Sequence, residues 1–208
     1  MINRELYMEQ ITPFIDKPFV KVITGIRRCG KSVVLRLISE ELLRRGVSED
    51  YIIYMNFESF EWIDMKEAKA LYAHIQETTK ASGKYYILLD EIQEVTDWEK
   101  AVNAFLVDLD VDIYVTGSNS RLLSSEFSTY LAGRYVAFHI MTLSFKEYLL
   151  FHNLSLTISA SDRKAEFLKY LRMGGFPAIH TANYDYNAIY KIVYDIYSSV
   201  ILRDTVQR

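Results

Sequence analysis

A single cysteine, Cys29, stands in the 208 residues. The chain can therefore form neither an internal disulfide nor a zinc site built from several thiolates, which agrees with a reducing compartment. A surplus of one charge is missing too. Lys and Arg number 24 against 27 Asp and Glu, for a formal net charge of -3. That balance does not indicate nucleic-acid binding, although a local basic patch stays open. No run approaches the roughly 18 consecutive apolar residues of a membrane-spanning helix, and Met1-Ile2-Asn3-Arg4-Glu5 opens without an apolar signal core. The expectation is a soluble, cytoplasmic protein. The histidines His74, His139, His152 and His180 have no metal-ligand spacing, and the chain has neither an internal repeat nor a low-complexity tract.

What is present is apolar and patterned. With 50% hydrophobic and 25% charged residues the chain can bury a core. Residues 19–24, 51–57, 85–90 and 111–116 are short, β-branched or aromatic-rich runs bounded by turn residues, the signature of buried strands. Between them, residues 31–45, 66–80 and 97–109 have helical spacing, with Gly46 placed as a stop for the first and Asp97 as an N-cap for the third. The alternation predicts right-handed βαβ units and a parallel sheet covered by helices on both faces. A fifth strand is expected at residues 135–140. Beyond it the pattern turns helical: Ser144-Phe145-Lys146-Glu147 resembles a capping box, residues 162–173 and 186–207 are helical, and 153–161 is a polar loop. This divides the chain into a core at residues 1–143 and a small helical lid at 144–208. The last helix has neither a Gly stop nor a polar tail, as expected of a segment leading into a further C-terminal domain.

The first chemical motif is Gly25-Ile26-Arg27-Arg28-Cys29-Gly30-Lys31-Ser32, with Val33 following in the first helical turn. It joins a strand to a helix, so backbone N–H groups can wrap phosphates while the helix N-terminus faces their negative charge. Lys31 would reach the β- and γ-phosphates of ATP, and Ser32 would ligate Mg2+. Arg27 and Arg28 either add charge at the phosphates or face solvent. Cys29 has two readings as well: a thiol activated by the helix N-terminus and neighbouring cations, or a small side chain screened from reagents.

A second motif, Ile87-Leu88-Leu89-Asp90-Glu91, ends an apolar strand in two acids. In that arrangement Asp90 holds the metal through water and Glu91 polarises the attacking water, which implies hydrolysis as well as binding. Thr116-Gly117-Ser118-Asn119 then puts polar side chains at the end of the fourth strand, where Ser118 or Asn119 either senses the γ-phosphate or caps the next helix.

Together with Leu131-Ala132-Gly133-Arg134, Leu143-Ser144-Phe145-Lys146-Glu147 and Gly174-Gly175-Phe176-Pro177, these motifs resemble a prokaryotic AAA-type ATPase family of the AAA+ superfamily. Its members usually carry an additional, uncharacterised C-terminal domain. The likeness covers essentially the whole chain. It implies a P-loop NTPase three-layer α/β sandwich with a five-stranded parallel sheet in the order 5-1-4-3-2. It also assigns Lys31 and Ser32 to phosphate and metal, Asp90 and Glu91 to metal and water, and Asn119 to sensing. Arg134 becomes a candidate arginine finger, acting within the chain or on a neighbouring copy in a homo-oligomer; its other reading is a surface arginine or a partner for a nearby acid. Thr142 stands where the family commonly has proline, a change expected to alter only the rigidity of the lid entry.

The expected partners are ATP and an effector, either a further domain or another protein. Two functions are open: an ATPase whose turnover moves the lid, and a slow-turnover nucleotide-dependent switch. Gly174-Gly175-Phe176-Pro177 is read as a helix stop and chain reversal. Tyr186, Tyr190, Tyr194 and Tyr197 form a stripe at helical spacing, which favours core packing over a partner surface.

Overall fold

The computed structural model describes residues 4–80, 82–117, 131–181 and 184–206, with side chains described through 199. Two compact units emerge. The larger comprises Glu5–Gly25 and Lys31–His139; the smaller comprises Met1–Arg4, Ile26–Gly30 and Ile140–Arg208.

The larger unit opens with a short helix, α1 (Glu5–Ile11), which the sequence reading did not anticipate. The strands are β1 (Val20–Gly25), β2 (Ile52–Asn56), β3 (Tyr85–Asp90), β4 (Val111–Gly117) and β5 (Tyr135–Ile140). They form one sheet in the order β2-β3-β4-β1-β5, as the resemblance implies. The pairings β1 with β4, β3 with β4 and β2 with β3 are all parallel. Helices α2 (Lys31–Arg44), α3 (Ala68–Thr78) and α4 (Trp98–Asp108) provide the crossovers.

The central strands β1, β3 and β4 are buried on both faces. Alternate residues of a strand point to opposite sides. Ile87 and Leu89 of β3, with Ile113 and Val115 of β4, pack into one cluster with Leu71 and Ile75 of α3 and Val102 and Phe105 of α4. Their neighbours Leu88 and Tyr114 are equally buried but belong to the other face. Helix α2 buries Val34, Leu35, Leu37, Ile38 and Leu42, and each such side chain is worth about 1.5–3 kcal/mol relative to exposure. Its C-terminus is closed as expected, with Gly46 N–H donating to Leu43 O at 2.9 Å. Asp97 stands before α4 but does not cap it through its side chain; it is left-handed, at φ 56°, and its carboxylate pairs with Lys100 at 2.8 Å.

In the smaller unit, α5 (Phe145–Phe151) starts at a complete capping box: Ser144 Oγ accepts the Glu147 N–H and Glu147 accepts the Ser144 N–H. Helix α6 (Ala160–Met173) is capped by Ser159 and ends at Gly174. Gly175 follows where a side chain has no room, because a Cβ would lie 2.4 Å from Leu143 O. Its carbonyl accepts the Leu143 N–H at 2.7 Å, so the glycine pair reverses the chain by close backbone approach. Phe145, Tyr148, Phe167 and Tyr170 form an aromatic cluster between α5 and α6. The last helix, α7 (Tyr186–Val206), corrects one expectation. Its buried face carries Ile189 and Ile196, whereas Tyr186, Tyr190, Tyr194 and Tyr197 are exposed. Among the described residues no helix is long and apolar enough to cross a membrane.

Candidate nucleotide-binding site

The parallel register brings three strand ends together. Thr24 of β1 stands opposite Gly117 of β4, and Val115 of β4 opposite Leu89 of β3, so the carboxyl ends of β1, β4 and β3 are adjacent. In open α/β sheets this edge is where ligands bind. The chain leaves β1 at Gly25 and enters α2 at Lys31.

The loop between them, Ile26–Gly30, belongs to the smaller unit. It closes on itself through Cys29 N–H to Ile26 O at 3.2 Å. Gly30 takes φ 106°, a conformation strained for any residue with a Cβ, so the glycine of the motif is a backbone requirement. Arg28 is also left-handed, and Ile26, Arg27 and Arg28 are exposed. Cys29 is fully buried, which favours the screened reading of its thiol. Its carbonyl accepts a hydrogen bond from Arg4 Nη1 at 3.0 Å.

In the larger unit, Lys31 Nζ lies 3.4 Å from Gly25 O and 3.4 Å from Glu91 Oε1, in a position only 4% exposed. Ser32 and Val33 are half-buried in the first turn of α2, and no acidic side chain in that turn offsets the helix N-terminus. The end of β3 is fixed more tightly. Asp90 is fully buried; its Oδ1 accepts the Thr116 hydroxyl at 2.5 Å and its Oδ2 the Tyr54 hydroxyl at 2.9 Å. Burial, with the Asp90 charge beside it, pushes the Tyr54 phenol up to about 12, so it stays a donor. Thr116 Oγ1 in turn accepts the Glu91 N–H at 2.9 Å. One hydroxyl thus orients both acids.

Glu91 sits at φ 54°, ψ 47°, uncommon for a residue with a side chain and tolerated where the surroundings fix it. Here the Thr116 bond holds its backbone. Its Oε2 accepts Gln93 Nε2 at 2.6 Å while Oε1 faces Lys31. The other end of the Gln93 amide, Oε1, is buried without a hydrogen-bond partner.

Gly25, Lys31, Asp90 and Glu91 therefore stand together at this edge of the sheet. Arg134 is exposed, and its Nη1 donates to Asn103 Oδ1 of α4 at 3.0 Å. Ser118 and Asn119 lie outside the described residues. Sequence reasoning missed Tyr54, Gln93 and Arg4 and passed over Thr116 for its neighbours. A threonine closing an apolar strand, and a glutamine two residues after a strand-end acid, were the available signals.

Comparison with known proteins shows the family and a likeness of fold. A family model described as an AAA domain matches residues 17–149. An uncharacterized protein of Haemophilus influenzae is 42% identical over 209 residues, covering 100% of this chain and 51% of its own length. One of Methanocaldococcus jannaschii is 35% identical over 218 residues, covering 100% and 45%. The chain thus spans about half the length of these curated relatives. Among solved structures, AMPPCP-bound DnaA from Aquifex aeolicus superposes with a TM-score of 0.56 at 15% identity, over 100% of this chain and 67% of that one, a likeness of fold. With the family model spanning both motifs and the sheet between them, the chain belongs to the AAA-type P-loop ATPase family.

Proposed function

We propose that this chain binds ATP with magnesium at the loop between β1 and α2 and hydrolyses it, turnover shifting the helical segment after β5 and, through it, an effector. The observation that carries this reading is the position of Lys31, whose ammonium stands between the Gly25 carbonyl and the Glu91 carboxylate. The phosphate-binding cation and the water-activating acid are neighbours. On nucleotide entry Lys31 would exchange Glu91 for β- and γ-phosphate oxygens, releasing the carboxylate to take a proton from water. The N–H groups of Gly25 to Gly30 would cradle the phosphates, with Arg27 and Arg28 adding charge at the rim.

Ser32 and Asp90 offer a hydroxyl and a carboxylate, hard oxygen donors that fit magnesium. When bound, the ion would neutralise charge on the phosphate oxygens. Asn119 would sense the γ-phosphate. A slow-turnover switch is favoured by one feature: both Glu91 oxygens are engaged, by Lys31 and Gln93. Phosphate release by the isolated chain separates it from the faster reading.

Mg-ATP at 100 times its Kd should stabilise the chain by about 2.7 kcal/mol, and Lys31→Ala should remove most of that gain. Thermal melts with and without nucleotide test this. No shift with saturating Mg-ATP or any other nucleoside triphosphate would end the proposal.

Arg134 is proposed as the arginine finger acting on a neighbouring copy, a role its exposure permits. Specific activity should then rise with protein concentration, and Arg134→Ala should flatten the rise. Activity per molecule that is independent of concentration in the parent would remove the role in trans.

A further inference from the structure

Arg4 lies outside every motif, yet its side chain is only 3% exposed and joins three segments of the smaller unit. Its Nε donates to Glu147 Oε1 at 2.6 Å, Nη1 to Cys29 O at 3.0 Å and Nη2 to Met141 O at 2.9 Å. A buried guanidinium persists only when paired and hydrogen-bonded, and here all three nitrogens are used. The carboxylate opposite is shared. While Oε1 of Glu147 holds Arg4, its Oε2 accepts the Ser144 N–H at 2.8 Å and the Ser144 hydroxyl at 2.9 Å, closing the capping box of α5.

The contact on Cys29 fixes a peptide plane. In a trans peptide the carbonyl of one residue and the N–H of the next point in opposite directions, and no cis bond occurs among the described residues. Anchoring Cys29 O on Arg4 therefore turns the Gly30 N–H away from Arg4. Gly30 also leaves room for the anchor, since a Cβ there would lie 3.3 Å from Arg4 Nη1.

We propose that Arg4 is a positioning residue for nucleotide binding: with Glu147 it latches the Cys29–Gly30 peptide to the first turn of α5, holding the Gly30 N–H in its phosphate-facing orientation. This rests on reading the loop as a phosphate cradle. The same bonds connect loop and helix in both directions. Phosphate binding that stiffens the loop stabilises the α5 position, and a displaced α5 weakens phosphate binding by the same factor.

Cys29, the only cysteine and fully buried, reports on the latch without nucleotide. Arg4→Lys keeps the charge but loses the fork; Glu147→Gln keeps an acceptor for Ser144 but loses the ion pair. In the full chain, each should accelerate N-ethylmaleimide modification of Cys29 about tenfold, and the double variant should be no faster than the faster single, because both remove one latch. Ile196→Ala, a cavity at a buried position of α7 that takes no part in the latch bonds, controls for general loosening. The same two variants should raise the KM for ATP about tenfold with kcat within about twofold, the pattern of lost ground-state positioning. Modification rates equal to those of the parent or of Ile196→Ala would overturn the latch. Faster modification with unchanged KM would overturn its role in positioning phosphates. Failure of the parent to bind ATP would instead overturn the function proposed above, with the modification rates still deciding whether the latch exists.

Discussion

Phosphate release should fall by about 100-fold or more when Glu91 is replaced by glutamine, while Mg-ATP raises the melting temperature as it does in the parent. The separation follows from what the side chain touches. Glu91 takes its backbone position from the Thr116 hydroxyl, a bond its N–H makes whatever the side chain. A glutamine can keep the contact with Gln93 by turning its amide, since Gln93 Oε1 is buried and awaits a donor. Shape and place survive, and only the carboxylate's ability to accept a proton is lost. Loss of the Lys31 ion pair should, if anything, ease the lysine toward phosphate. Phosphate release and nucleotide-dependent melting, measured on the same samples, check both halves; equal release rates in variant and parent would remove Glu91 from the reaction.

The site was legible in the sequence where its parts are local. The loop from Gly25 to Ser32 is a contiguous pattern, and Asp90 with Glu91 closes an apolar strand, so spacing alone located both. What holds these residues is not local. Thr116 and Tyr54 meet Asp90 across strand pairings that put them 26 and 36 residues away in sequence. Periodicity shows that a residue is in a strand but not which strand lies beside it. The order of the strands came from the family resemblance, and without it Thr116 could not have been set next to Asp90.

The same limit explains the misreadings. The tyrosines of α7 have helical spacing and were expected to pack, but Ile189 and Ile196 define the buried side and the stripe faces outward. Spacing identifies a face, not its direction. Asp97 does hold the N-cap position as expected, but its side chain makes no cap hydrogen bond and pairs with Lys100 instead. Arg4 was invisible because its partners Cys29, Met141 and Glu147 follow it by 25, 137 and 143 residues.

Another buried charge, within the sheet itself, should show its effect in stability. Asp112→Ala should cost about 3–5 kcal/mol, the penalty for leaving a buried cation without its counter-ion. Lys21 of β1 and Asp112 of β4 form an ion pair with both side chains fully buried. Burial holds the Lys21 ammonium below its ordinary range, with Asp112 pulling it back up, so the pair survives only as a pair. The aspartate also accepts Tyr114 OH at 2.9 Å and the Asp16 N–H at 2.8 Å, and Lys21 donates to Lys17 O at 2.9 Å. Lys21→Met added to Asp112→Ala removes the stranded cation but not the two stranded donors. The double variant should therefore recover only part of the loss, with an interaction energy of about 2 kcal/mol. Urea unfolding midpoints of the parent, both singles and the double give that number, and simple additivity would show that the two charges do not support each other. Lys21 stands opposite Tyr114, three positions along β1 from the Thr24–Gly117 pairing at the loop, or about 10 Å at strand rise. Nucleotide affinity per folded molecule should therefore be unchanged in Asp112→Ala, which would separate the pair that holds β1 to β4 from the residues at their far ends that are proposed to meet the phosphates.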